Sequence, residues 1–432
     1  MRNYQWRGAG AVSFLTAAAV VLAACGAPDD NKQQAGDGDG KIQIGIIAPF
    51  TGPLAAAAKD LNDGWELYWK ERGNTTVAGQ KVEWVTADDA NNPATGVTQA
   101  KSLVSTKRID MLVGPVTTAV GAAVAEEMAR ESIPVLLPVL SDDNVTQRHP
   151  IEGATRIAGW TASQVTHPLG KWAYDQGYRK VTTLCFDMAF GYEHCGGFVN
   201  TFTDAGGQVA KQLWNQLGEQ DYATFVTQIR DSNPDAVFVG NSGSDSVRFL
   251  QAWSDFGMKG KIPLLTTETV VDQSNLRSMN DNAIGIISAG HYAEGLNSPA
   301  NEKFVSAFLA STGRLPSYFS AAMYSAADWI VQAIEKVDGK VSDRKAFEAA
   351  IRSVQVADSP LGKMKLDEYH HTTQDIYIRK VEKRPDGKLW NAVEHTFPEV
   401  SQFWTYDPKE YLKHPAYSRT YQGNGVWPEP QK

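Results

Sequence analysis

Positive charge, cysteine and long apolar runs are all scarce in this chain, and each scarcity removes a class of function. The 432 residues carry 41 Lys and Arg against 49 Asp and Glu, a formal net charge of −8. Such an acidic, only patchily basic surface does not track a phosphate backbone, so nucleic acid is not an expected partner. Cysteine occurs three times, at Cys25, Cys185 and Cys195, and the nearby His194 gives too few ligands for a tetrahedral zinc. Beyond residue 24 no stretch approaches the eighteen or so uninterrupted apolar residues of a spanning helix. Catalytic signatures are missing as well: there is no Gly-x-Ser-x-Gly elbow, no His-Glu-x-x-His and no phosphate-binding loop. The eight histidines are scattered. The Asp88-Asp89 and Asp142-Asp143 pairs are adjacent at strand ends, where neighbouring side chains face opposite ways. The expectation is a chain that is not an enzyme and carries no cofactor.

What is present begins at the N-terminus. Arg2 and Arg7 precede an uncharged stretch from Gly8 to Ala24 that closes on Leu22-Ala23-Ala24-Cys25. A basic start, an apolar run and small residues before the cut make a secretory signal over residues 1–24. The Cys after Leu-Ala-Ala resembles the lipobox of bacterial lipoproteins, which implies a lipid on Cys25 and an exported body tethered at the cell envelope, in the periplasm or on the outer face of the cytoplasmic membrane. Loss of the leader removes two positive charges and leaves the mature chain still more acidic. Residues 25–40 then serve as the tether, because GAPDDNKQQAGDGDG has no apolar periodicity and cannot bury a core.

The chain beyond the tether is too long for one core and suits two domains. Short β-branched runs alternate with amphipathic stretches. Strands are expected at Lys41–Ala48, Val82–Ala87, Met111–Val113, Pro134–Leu137, Val181–Phe186, Ala236–Val239 and Ile262–Leu265. Helices are expected at 56–73, 93–106, 118–131, 163–176, 191–205, 222–232, 244–256 and 301–311. That alternation specifies an α/β protein whose parallel sheets are covered by helices on both faces. In such sheets ligands collect outside the carboxyl ends of strands. Two loops there stand out: Ala48-Pro49-Phe50-Thr51-Gly52-Pro53-Leu54, and Gly114-Pro115-Val116-Thr117-Thr118, which opens a helix. Free N–H groups at a helix start with hydroxyls beside them attract a carboxylate without a cationic side chain, although Thr117 or Thr118 can equally be a plain N-cap. Cys185 should end a strand and Cys195 lie in the next helix, so an oxidising compartment allows a disulfide, and two buried thiols are the alternative.

The segments IGIIAPFTGPLA, ADDANNPATGVTQAKSLVSTKRIDMLVGPVTTAV, IPVLLPVLSD and AFGYEHCGGF, in that order, resemble the leucine-binding-protein family, the type I periplasmic substrate-binding proteins of branched-chain amino acid ABC transporters. The resemblance runs from Lys41 to Asn391. It implies two doubly wound lobes joined by three crossovers, near 155–159, 285–290 and 360–366, with ligand held in the cleft between them. Lobe one is then 41–156 with 289–361, lobe two 157–288 with 362–396, and 397–432 an extension. By the same resemblance Thr117, Thr118 and Ser141 hold a ligand carboxylate, Phe190 covers it from lobe two, and Glu268 is the nearest match to the acid that pairs with a ligand ammonium. A monomer that docks on ABC permease subunits is implied. A ligand-sensing lipoprotein of a signalling system on the same fold is the alternative, since fold does not fix function.

Departures from that pattern bear on the ligand. Ala55-Ala56-Ala57-Ala58 stands where amino-acid binders often carry an aromatic cap, Phe190 lacks the hydroxyl of a Tyr, and Asn241-Ser242-Gly243-Ser244 lacks an aromatic found in some relatives. The pocket is expected to be wider, with Trp160, Tyr318, Phe319 and Tyr324 available to refill it. The ending SQFWTYDPKEYLKHPAYSRTYQGNGVWPEPQK resembles that of family members associated with aromatic acids. A small hydrophobic carboxylate, either a branched-chain or hydrophobic amino acid or an aromatic acid, is the expected ligand. The aromatic rings of the ending are themselves most often packing.

Overall fold

The β-branched run Lys41–Ala48 forms β1, and the chain then alternates as its patterning requires. A computed structural model describes residues 40–420; the leader, Cys25, nearly all of the tether and the last twelve residues lie outside the described part. The first sheet contains β1, β2 (Thr76–Val77), β3 (Gln80–Asp88), β4 (Met111–Val113), β5 (Val135–Leu136) and β6 (Ala154–Thr155) in the order β2-β3-β1-β4-β5-β6. All its ladders are parallel except β2 with β3. Helices α1 (Ala55–Arg72), α2 (Pro93–Ser102) and α3 (Thr118–Arg130) cross over between these strands.

After β6 the chain passes into a second sheet through α4 (Ala162–Asp175). β7 (Lys180–Phe186), α5 (Ala189–Asp204), β8 (Gln208–Asn215), α6 (Ala223–Asp231), β9 (Ala236–Gly240), α7 (Gly243–Asp255), β10 (Leu264–Thr267), α8 (Gln273–Leu276) and β11 (Ile287–Gly290) follow. The chain returns to the first lobe with α9 (Pro299–Thr312), α10 (Tyr318–Lys336) and α11 (Arg344–Ser353). It then completes the second sheet with β12 (Gln355–Val356), β13 (Met364–Leu366), β14 (Thr372–Lys383) and β15 (Leu389–Val400); a last turn of helix, α12 (Pro408–Tyr411), lies in the C-terminal extension. The order is β12-β13-β14-β11-β10-β9-β7-β8, with β15 on β14.

Two details go beyond the sequence reading. The second sheet is mixed, because β11, β12, β13 and β15 run antiparallel to their neighbours on the β14 side. Strand pairing keeps β11 in the second sheet to Gly290 and brings β12 into it from Gln355. α10 escapes an amphipathic search because it is buried on nearly every face, with Trp329, Ile330 and Ala326 all inaccessible.

Cys185 at the end of β7 and Cys195 on α5 are joined in a disulfide. Gly196 beside it must be glycine, since a Cβ there would lie 2.6 Å from the Cβ of Tyr417. The C-terminal extension thus packs on α5 through Tyr417 and through the Tyr406 hydroxyl, which donates to Asp204 at 2.5 Å. It also reaches lobe one, where Thr146 donates to Gln402 at 3.0 Å and Arg148 to the His414 carbonyl at 2.7 Å.

Candidate functional site: an interlobe cavity

The carboxyl ends of strands from both sheets converge on a cavity of about 350 Å³. That is the small end of the range for ligand sites. Thr117, Thr118 and Ser141 form its wall on the first lobe, and Phe190 faces them from the second, with Tyr318 at the start of α10. Phe186, Met188, Phe319 and Trp160 complete an apolar lining, and Leu54 and Leu217 stand at the lips. A depression of about 420 Å³ between α1 and α9 is larger, but charged residues such as Lys59, Asp63 and Glu66 line it and Lys59 and Asp63 pair with each other at 2.9 Å, so it lacks the apolar walls of a ligand site.

Polar side chains, among them Asn91, Thr118, Ser141 and Ser244, line the cavity beside the rings, and helix starts add backbone N–H groups. α3, α5 and α7 all open onto it, and their N-cap residues Thr117, Met188 and Ser242 make no side-chain cap hydrogen bond. The first N–H groups of those helices therefore keep no side-chain partner, and the positive ends of three helix dipoles meet in one space. No Lys or Arg stands among the lining residues. Asp245 does line the cavity, but Arg248 at 3.0 Å and the Tyr222 hydroxyl at 3.0 Å occupy its carboxylate. Gly191 closes the α5 turn because a Cβ would lie 2.1 Å from the Phe186 carbonyl oxygen. Phe190 is presented at that tight turn.

Two sequence expectations do not reach the wall. Glu268 is fully buried behind it: Oε1 accepts from His291 Nδ1 at 2.7 Å, Oε2 accepts from the His291 backbone N–H at 3.1 Å, and Arg379 stands 3.9 Å away. An acid satisfied on both oxygens beside a buried guanidinium faces the core, not a ligand. Tyr324 is not among the lining residues; its ring packs between Tyr68 and Phe304 and its hydroxyl donates to Glu71 at 2.6 Å. Behind the wall, Trp160 packs its ring against His194 and His291, with centroids 5.6 Å from each. Burial pushes the His194 imidazole down to about 4, so it is neutral at physiological pH.

The lobes also touch around the cavity mouth. Asp272, which caps α8, accepts the Tyr318 backbone N–H at 3.1 Å with its second oxygen. Leu54 of lobe one lies against Gly243 of lobe two. Sequence reading passed over Asn91, Met188 and Asp272. The first two follow strand ends and were open to the rule that drew attention to Thr117, whereas Asp272 acts on a helix from another lobe and nothing local marks it.

Comparison with known proteins places this geometry. Residues 41–388 match the family of periplasmic binding proteins. A Leu/Ile/Val-binding protein homologue from Brucella melitensis is 30% identical over 82% of this chain and 91% of its own length. The solute-binding protein of an ABC transporter from Rhodopseudomonas palustris BisB5, solved with 3,4-dihydroxybenzoic acid, is 30% identical, with a TM-score of 0.79 over 84% of this chain and 99% of that one. Its counterpart from R. palustris HaA2, solved with p-hydroxybenzoic acid, is also 30% identical, with a TM-score of 0.79 over 84% and 98%. By fold, by the interlobe cavity and by these likenesses, the chain belongs to the periplasmic binding protein family.

Proposed function

We propose that this chain is the substrate-binding lipoprotein of an ABC importer and that its ligand is a small aromatic carboxylate. The observation that carries this reading is the cavity's composition: three helix N-termini without side-chain caps and the hydroxyls of Thr118 and Ser141 on a ring-lined space that holds no Lys or Arg. Such a wall favours an anion at one end and a flat hydrophobic body at the other. An amino acid needs in addition a free carboxylate for its ammonium, and Glu268 and Asp245 are both taken. The solved relatives in complex with hydroxylated benzoic acids support the same ligand class.

Function is then capture and release without bond chemistry. The anion meets helix N–H groups and the hydroxyls of Thr118 and Ser141, Phe190 and Tyr318 cover the ring, and closure expels water, which strengthens each charge-assisted bond. The closed body docks on permease subunits, with Cys25 carrying the lipid that holds it at the membrane. Among the described residues no helix is long and apolar enough to cross one.

A thermal-shift panel on the body from Gly26 onward tests the ligand class. Benzoate, hydroxybenzoates and hydroxycinnamates are compared with leucine, isoleucine, valine and phenylalanine at equal concentration. A ligand at a hundred times its dissociation constant adds about 2.7 kcal/mol to the native state. Stabilisation by aromatic acids alone is expected; stabilisation by amino acids alone sinks the reading.

A further inference from the structure

Thr117 stands at the N-cap of α3 with extended backbone, φ −100° and ψ 146°, the conformation in which a Thr hydroxyl ordinarily accepts from a helix N–H two or three residues on. It makes no such bond. Its Oγ1 lies instead 2.9 Å from Oδ1 of Asn91, on the loop after β3. Asn91 also lines the cavity. It sits in the left-handed region, φ 55°, and Asp89 accepts its backbone N–H at 2.8 Å. The side chain is thus aimed by its own backbone at Thr117 and the cavity together.

We infer that Asn91 is the residue that keeps the α3 N-terminus open for the ligand: its amide oxygen draws the Thr117 hydroxyl away from capping α3, and its amide nitrogen is left to donate to the ligand's anion. The inference rests on the reading of the ligand as a carboxylate. It assigns Thr117 a positioning role. A Thr hydroxyl has one proton, and with that proton given to Asn91 Oδ1 it cannot also be given to the ligand. Asn91 has two N–H donors on Nδ2, and with Oδ1 engaged they are the part of the amide still seeking a partner. An anion in the cavity also selects this orientation of the amide, since the flipped one would turn Oδ1 toward a negative charge.

Removing the two side chains in turn separates this arrangement from a direct Thr117–ligand bond. In Asn91→Ala the donor is lost and the Thr117 hydroxyl is released to turn back and cap α3, so benzoate affinity should fall by at least about tenfold. Adding Thr117→Ala to that variant removes the competing cap, and affinity should then recover in part. Thr117→Ala alone unpins Asn91 and should weaken benzoate, whereas Thr117→Ser keeps the hydroxyl and should hold affinity close to wild type. Titration calorimetry with benzoate and with benzamide reads all four, and the ratio of the two dissociation constants reports the anion contact apart from general damage to the fold.

A double variant weaker than wild type by the sum of the two single losses would show Thr117 bonding the ligand itself and overturn the inference, as would an Asn91→Ala that binds benzoate as well as wild type. Failure of wild type to bind any aromatic carboxylate would instead remove the reading on which the inference rests. If Asn91→Ala does not fold, Asn91→Asp serves: it keeps an acceptor for Thr117 but sets a carboxylate against the ligand, and the benzoate-to-benzamide preference should collapse or invert. An Asn91→Asp that retains the benzoate preference of wild type would contradict the assignment.

Discussion

Arg277, just past α8 of the second lobe, donates to the fully buried carboxylate of Asp60 on α1 of the first at 2.5 Å. The same guanidinium donates to the Leu315 carbonyl at 3.0 Å, so one side chain ties lobe two to two segments of lobe one. Separation of these segments breaks the bonds, so they favour the form in which the two lobes are held together.

Replacement of Arg277 by Gln should weaken every ligand by a similar factor, roughly tenfold, because apparent affinity scales with the population of the binding-competent form. Arg314 also pairs with Asp60 and keeps the buried acid from being stranded. Calorimetric titrations of two ligands of different affinity check this, and a loss confined to one ligand would place Arg277 in the site itself.

The anion contact predicts a chemical selectivity. Ser141→Ala with Thr118→Ala should cost a carboxylate ligand about 1–3 kcal/mol while leaving a neutral carboxamide of the same shape nearly unaffected. Titration of benzoate and benzamide against the double variant measures both terms.

Glu268→Gln should act on stability. Its oxygens hold His291, and its charge faces Arg379, which is 1% exposed. Loss of that charge leaves a buried guanidinium with fewer compensating groups and should destabilise the fold by about 2–4 kcal/mol. An amino acid and its deaminated analogue should be affected alike. A selective loss of the amino acid would restore an ammonium role for Glu268.

A pH dependence follows from Glu294, whose backbone carbonyl and side chain sit at the edge of the second sheet. Burial pushes its carboxyl up to about 7, while it accepts from the Asn391 backbone N–H at 3.2 Å. The folded state therefore holds a proton that the unfolded chain releases near its ordinary value. The stabilisation is complete below that ordinary value and disappears as pH rises through about 7. Glu294→Gln lacks this proton, so its stability relative to wild type should improve by about 2 kcal/mol between pH 5 and pH 8. Denaturant melts of both proteins at four pH values across that range check the sign.

Much of this was open to sequence reading where the signal is local. β1 and β4 fall where their β-branched runs place them, and α3 begins at Thr118 as the Gly-Pro-Val-Thr-Thr loop indicates. Thr117, Thr118, Ser141, Phe190 and Tyr318 stand around one cavity because each follows a strand end or opens a helix. What escaped depends on partners distant in sequence. Glu268 looks like a loop acid until Arg379 and His291 are seen beside it, and the Asn91–Thr117 bond joins residues 26 apart. The β14–β15 ladder was missed because Glu394, His395 and Glu399 break the apolar pattern on its solvent side.

One titration decides the ligand class. Calorimetry of the body from Gly26 onward with 4-hydroxybenzoate at 15 °C and 35 °C should give one site per chain, a dissociation constant near 1 µM or below, about −8 kcal/mol, and a negative heat-capacity change from burial of the ring between Phe190 and Tyr318. No heat from the aromatic acid at either temperature, with leucine saturating the same protein at one site, would contradict it.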